Sequence, residues 1–208
     1  MYPLKIIGLG PGHPDYILPL AKKEIEAAEV ILCGTRHAES FDSSGKKMLF
    51  IGKGTPLSEL MNEVAKNYRT QRTALVVSGD CGFYSLLTYA KKVVPEKDIV
   101  CIPGISSLQY FFAKLGETWE DAKLISLHGR DQDLKTALSE HKKLGILTDK
   151  NNNTAFIAKT LEAAGCFNSK LYVGEELSYP NEKITPLTVQ EALTFKEEGL
   201  AVVVVMNE

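Results

Sequence analysis

Glycine turns that follow β-branched runs hold most of the residues in this chain that could meet a ligand. The first is Gly8-Leu9-Gly10-Pro11-Gly12-His13-Pro14, directly after the run Leu4–Gly8. Such a loop cradles a pyrophosphate when its glycines stand as G-x-G-x-x-G before a helix and an acidic residue follows about 20 positions on. Gly8 and Gly10 fit that spacing, but Gly12 comes one residue early and His13 stands in the third glycine's place. Pro11 and Pro14 bring no backbone N–H donors, and the next strand-like run ends in Cys33-Gly34 with no carboxylate at its tip. The dinucleotide fingerprint fails on spacing, donors and acid together.

Three more turns carry polar or reactive side chains. Gly79-Asp80 is followed by Phe83 and Tyr84, Pro103-Gly104 by Ser106 and Ser107, and the run ending at Leu127 by His128-Gly129-Arg130. Taken singly, Asp80, Ser106 and Ser107 read equally well as helix caps, and His128 as a structural histidine. Taken together, small residues at each exit let main-chain groups come close to a ligand, at the carboxyl ends of strands where α/β proteins bind.

The elements that would position these turns are legible from periodicity. Strands are expected at Leu4–Gly8, Val30–Cys33, Lys47–Ile51, Thr73–Ser78 and Ile99–Ile102, with helices near 18–28, 58–67, 83–93 and 106–115. Leu20, Ile25 and Ala28 share one helical face, as do Leu57, Leu60, Met61 and Val64 in the next helix. Apolar periodicity lapses at Leu115–Lys123, where Gly116 can end a helix, which suggests domains at 1–116 and 117–208. The cycle then restarts, with strands at 123–127, 145–147, 170–173, 183–185 and 200–206 and helices at 133–142, 154–164 and 189–195. Asn153 is placed to cap a helix, Gly165 to stop it, and Ser178-Tyr179-Pro180-Asn181 to turn a hairpin that makes the second sheet mixed. The fold class is α/β in two domains, the first with largely parallel strands.

Composition narrows the partners. With 208 residues, 24 Lys plus Arg and 26 Asp plus Glu, the chain has no basic surplus that argues for nucleic acid. The longest apolar run, Leu200–Met206, is strand-length, so no membrane span is expected, and the N-terminus reads directly into a strand without a signal peptide. Cys33, Cys81, Cys101 and Cys166 are scattered without metal-ligand spacing, the pattern of free thiols in a cytoplasmic protein with no metal site.

Over its whole length the sequence resembles the tetrapyrrole methylases, the S-adenosylmethionine-dependent family of cobalamin and sirohaem synthesis. The resemblance is carried by Gly8–Pro14, by Ser78–Ser85 (SGDCGFYS, similar to the family's GDPxxY-like segment) and by Pro103–Ser107 (PGISS, similar to its PGxSS segment). Ser126–Arg130 (SLHGR) resembles the precorrin-6Y/precorrin-7 C-5 methylase branch. Cys81 departs from the pattern, standing where the family has proline. The resemblance implies two α/β domains with the methyl donor in the cleft between them, a tetrapyrrole alongside, and a glycine loop facing the substrate. S-adenosylmethionine is then expected against Pro11, Gly79, Asp80, Phe83, Tyr84, Ser106 and Ser107, with Leu147, Thr148, Gly174 and Glu175 from the second domain. Substrate contacts are expected from Gly10, Gly12 and His13, and its carboxylates would meet Arg36, His37, Lys53 and Arg130, any of which reads equally as a solvated charge. Asp80, near the cationic sulfur, and His128, able to move a proton near neutral pH, are the catalytic candidates. The resemblance also implies a homodimer, C-5 methylation only, and a separate partner for C-15 methylation and decarboxylation. Same-fold methylases acting on diphthamide, rRNA or sirohaem precursors, and a non-catalytic nucleotide-binding module, are the alternatives.

Overall fold

The computed structural model describes residues 1–127 and 134–207, so His128 and Arg130 lie outside the described residues. The chain forms two compact units that divide between Ser106 and Ser107.

In the first unit the order is β1 (Leu4–Gly8), α1 (Pro19–Ala27), β2 (Val30–Gly34), β3 (Lys47–Ile51), α2 (Leu57–Asn67), β4 (Thr73–Val77), α3 (Leu87–Val93) and β5 (Ile99–Ile102). The sheet runs β3-β2-β4-β1-β5 with each neighbouring pair parallel. Successive side chains serve opposite faces. Ile6, Leu32 and Leu75 pack with Leu60, Met61 and Val64 of α2, while Ile7, Ile31 and Val76 pack with Ala21 and Ile25 of α1. Burial on both sides explains why these strands read as unbroken apolar runs. Each fully buried leucine or isoleucine contributes about 1.5–3 kcal/mol relative to exposure. Because the strands are parallel, their exit loops gather at one end.

The second unit contains α4 (Ser107–Leu115), β6 (Lys123–Ser126), α5 (Leu134–Glu140), β7 (Lys143–Leu147), α6 (Thr154–Ala163), β8 (Lys170–Glu175), β9 (Lys183–Thr188), α7 (Val189–Ala192) and β10 (Ala201–Met206). Its sheet, β6-β7-β10-β8-β9, is mixed: β6 and β7 are parallel, and the remaining pairs are antiparallel. Leu134 and Leu138 of α5, Ile157 and Leu161 of α6 and Val189 of α7 cover one face. Helix α4 covers the other. A Cβ on Gly145 would lie 3.1 Å from Phe112 and 3.2 Å from Leu108, and one on Gly174 would lie 3.0 Å from Phe111. Strand glycines thus make room for the large side chains of α4. That packing groups α4 with the second of the two compact units.

The expected caps are formed. Asn153 accepts from the Phe156 amide, and Gly116 and Gly165 turn left-handed at the ends of α4 and α6. The hairpin at Ser178–Asn181 joins the antiparallel β8 and β9. One helix differs. The periodicity placed its start at Phe83, but α3 begins at Leu87, because Tyr84 sits at φ 50°, outside any right-handed helix.

Candidate functional site at the strand exits

Exit loops of β1, β4 and β5 are locked together by main chain. Gly10 and Gly79 form an isolated antiparallel bridge, with Gly79 N–H donating to Gly10 O at 2.8 Å and Gly10 N–H to Gly79 O at 3.2 Å. Both residues are left-handed, at φ 87° and 65°. A Cβ on Gly104 would come within 2.3 Å of Gly79 O and 2.7 Å of Gly8 C. The small residues therefore serve the approach of one loop to another. The main-chain N–H groups of Gly10 and Gly79 are spent on each other, which leaves these positions no backbone donor to offer a ligand.

Asp80 completes the lock. Its Oδ1 accepts from Gly82 N at 2.7 Å and its Oδ2 from Gly104 N at 3.0 Å, so the carboxylate ties the β4 exit to the β5 exit. It is not a helix cap, since α3 starts well beyond it. Next to it Tyr84 is held in the left-handed region, a strained state for a bulky residue, with its ring edge-on to Phe83 at 4.8 Å. Pro11, Phe83 and Ser106 are half-buried beside this lock, and half-buried Ser107 opens α4.

The exits of the neighbouring strands β2 and β3 carry Arg36, His37 and Lys53. Among the described residues Arg36 and Lys53 have no carboxylate partner, and Lys53 lies 4.5 Å over the Phe50 ring. His37 does not join them as a cation. Burial, and then the Arg36 charge, push its pKa down to about 4 against the pull of a bond to the Val76 carbonyl, so it is neutral at physiological pH. His13 also has local work: its Nδ1 accepts from Asp15 N at 3.2 Å and caps the turn at Pro14–Tyr16, with half-buried Gly12 just before it.

In the second unit Leu147, Val202 and Gly174 stand side by side across β7, β10 and β8. Thr148 Oγ1 donates to Ala201 O at 2.6 Å. Glu175, only 4% exposed, accepts the Glu198 amide at 2.7 Å on Oε1, while Oε2 is buried without a partner. Glu176 at φ 45° accepts the Leu200 amide at 2.8 Å, and Glu197 accepts Thr154 N at the start of α6 at 2.6 Å. Sequence reasoning missed Glu176, Glu197 and Glu198. Their only signal was a polar stretch before an apolar run, and nothing in it reveals that β10 enters the sheet antiparallel beside the exits of β7 and β8.

Among the described residues, the buried side-chain polar atoms lacking partners are His37 Nδ1, Thr154 Oγ1 and Glu175 Oε2. Each lies at a strand exit or just beyond one. A protein interior leaves such groups unpaired at a cost of about 1–3 kcal/mol apiece, and in native proteins they concentrate where a ligand or function compensates. Among the described residues no group of three or more His, Cys, Asp or Glu is placed to hold a metal, and no helix is long and apolar enough to cross a membrane.

Two α/β units, the first on a parallel sheet and the second on a mixed one, define the class of fold. The sequence profile of the tetrapyrrole (corrin/porphyrin) methylases matches residues 3–193, and the chain belongs to that family. It is 34% identical over 193 residues to the probable cobalt-precorrin-7 C(5)-methyltransferase of Methanocaldococcus jannaschii, covering 89% of each chain. To the cobalt-precorrin-7 C(5)-methyltransferase of Salmonella typhimurium it is 30% identical over 186 residues, covering 89% of this chain and 90% of that one. Among solved structures, uroporphyrin-III C-methyl transferase from Thermus thermophilus, complexed with S-adenyl homocysteine, superposes with a TM-score of 0.80 at 17% identity, over 98% of this chain and 97% of that one. That likeness establishes the shared fold.

Proposed function

We propose that this protein is an S-adenosylmethionine-dependent methyltransferase that methylates C-5 of a cobalt-precorrin-7-type tetrapyrrole in cobalamin synthesis. The observation that carries this reading is the likeness, over 89% of both chains, to a relative named for that reaction.

The residues present fit such a donor. Glu175 Oε2 is a buried acceptor in want of a donor, and amine or hydroxyl groups of a nucleoside or amino acid would supply one. Phe83, Tyr84 and Leu147 offer apolar surface, Ser106 and Ser107 hydroxyls, and Pro11, Gly79, Thr148 and Gly174 complete the proposed contacts. When bound, the donor supplies a methyl group on a cationic sulfur that leaves as a neutral thioether. The chain's own residues then have to position and neutralise. Asp80 holds the β4 and β5 exits in fixed relation, and its negative charge stands at that same lock. Its proposed role is therefore positioning, with a favourable field for a cation as a second effect. Arg36 and Lys53 are the proposed partners for substrate carboxylates, Arg36 through its planar fork. His37, neutral and already bonded to the Val76 carbonyl, would accept a single hydrogen bond at Nδ1, and Gly10, Gly12 and His13 would shape the substrate side. His128 and Arg130 keep their proposed places as proton carrier and carboxylate ligand. A homodimer and a separate C-15 enzyme belong to the same reading.

The test is methyl transfer itself. Cobalt-precorrin-7 incubated with a donor carrying a 13C-methyl group should give a product labelled at C-5 by NMR. Label at another ring carbon, or no transfer from a protein that binds the donor, would refute the assignment.

A further inference from the structure

Cys81 and Cys101 meet on one face of the first sheet. Ile99 packs against the core that contains Cys81, and the two-residue alternation of β5 puts Cys101 on that same side. Cys101 stands near enough to help raise the Cys81 pKa, after burial and the Asp80 charge. A bond between neighbouring residues, Asp80 to Gly104, independently ties the Cys81 loop to the end of the Cys101 strand. Both cysteines are free, Cys81 buried and Cys101 exposed. The pair thus combines an accessible sulfur with a second one behind it.

We propose that Cys81 and Cys101 form a reversible thiol–disulfide modification site, opened by exchange of Cys101 with a low-molecular-weight disulfide such as oxidised glutathione and closed by Cys81. The Cys101 thiolate attacks one glutathione sulfur, the glutathione S–S bond breaks, and one glutathione thiolate leaves. The Cys81 thiolate then attacks the Cys101 sulfur, forming the internal bond and releasing the second glutathione thiolate. The two cysteine protons end on the two glutathiones, which gain the two electrons the cysteines lose. Burial, then the charges of Asp80 and Cys101, push the Cys81 thiol up to about 12. Cys81 therefore does not start the exchange, and closure is the slower step, quickening as pH rises. Cys33 is buried in the core on the opposite face of the sheet, with its thiol pushed up to about 11, so it does not compete.

Closure would act on the loop that follows. Cys81 O accepts the Ser85 hydroxyl, and the segment between them carries the strained Tyr84. A covalent tie at Cys81 changes the setting of Phe83 and Tyr84, and with it donor affinity; this consequence rests on the proposed donor site.

The test uses the full-length protein, treated with oxidised glutathione at mildly alkaline pH, alkylated, digested and mapped by mass spectrometry. A cross-linked peptide pair containing Cys81 and Cys101, lost on reduction and absent from Cys101→Ser, is expected. Oxidised protein should bind S-adenosylhomocysteine about five-fold or more weakly than reduced protein, with recovery on reduction. Glutathione left on Cys101 with no internal bond, or a cross-link to Cys33 or Cys166, would overturn the site. A Cys81–Cys101 bond with unchanged affinity would overturn its effect on the donor. If reduced protein fails to bind S-adenosylhomocysteine, it is the donor reading that falls, while the disulfide map still decides the site.

Discussion

The two units build the same feature, a cluster of strand exits, from opposite materials. In the first, parallel strands leave together and their loops touch backbone to backbone at Gly8, Gly10, Gly79 and Gly104. In the second, β10 runs the other way, so the loop leading into it arrives among the exits of β7 and β8 and is held by side chains: Glu175, Glu176, Glu197 and Thr148 each bond a main-chain group. In the parallel sheet glycines close the exits, and a single carboxylate, Asp80, ties the β4 exit to the β5 exit. A mixed sheet has an incoming segment whose amide groups need acceptors, and carboxylates supply them. The first design is rigid and intolerant of any added atom. The second tolerates changes of shape but depends on charge.

The largest effect expected from this contrast is at Gly104. Its Cβ site lies 2.3 Å from Gly79 O, with backbone on both sides unable to yield, so Gly104→Ala should cost about 3 kcal/mol or more in urea unfolding. A cost under about 0.5 kcal/mol would show that the glycine lock is loose.

Next comes the acid limb of the first unit. His37 is held at about 4 against an ordinary value of 6.5, so the unfolded chain binds more protons between these values and stability falls as pH drops through that window. With screening allowed for, the loss should be about 2–3 kcal/mol, and His37→Gln should flatten it. A profile flat between 6.5 and 4 in the parent protein would contradict the buried neutral imidazole. The second unit's Glu182 has its pKa lowered. Desolvation works to raise it, but bonds from Lys114, Tyr110 and Ser178 N outweigh that. Stability from this group is present above its ordinary value of 4.5 and lost as pH falls further, so its loss should follow that of His37.

Asp80→Asn tests the junction of structure and function. An amide can accept only one of the two N–H groups that Asp80 holds, so about 1–3 kcal/mol of stability and a clear loss of S-adenosylhomocysteine affinity by calorimetry are expected together. Affinity unchanged would remove the lock from the donor site. Smallest in stability should be Glu175→Gln, which keeps an acceptor for the Glu198 amide but replaces the unpartnered oxygen or its charge. Weaker S-adenosylhomocysteine binding at nearly constant stability is expected; the reverse pattern would make Glu175 purely structural.

Most of the fold was legible because burial leaves a period. The alternation at Ile6-Ile7 and Ile31-Leu32 and the stripe Leu60-Met61-Val64 marked sheet and helix faces directly. Turn chemistry marked the ends, as at Asn153 and Gly165. Of the site, positions at strand exits could be named, because main chain and ligand both need small residues there. Their partners could not. That Gly104 faces Gly79, that Asp80 spans two loops, and that Glu198 reaches Glu175 are long-range pairings with no local spacing to betray them. The start of α3 was misplaced for a related reason: the left-handed Tyr84 is imposed by its surroundings, and tyrosine itself gives no sign of it.

Hydrogen–deuterium exchange with and without S-adenosylhomocysteine tests the central claim most directly. Protection confined to residues 79–85, 104–107, 147–148 and 174–176, the strand exits of both units, is the expected result. Protection absent there and found instead at the opposite end of the first sheet, around the 290 Å³ cavity lined by Tyr2, Lys5, Glu24 and Arg72, would contradict it.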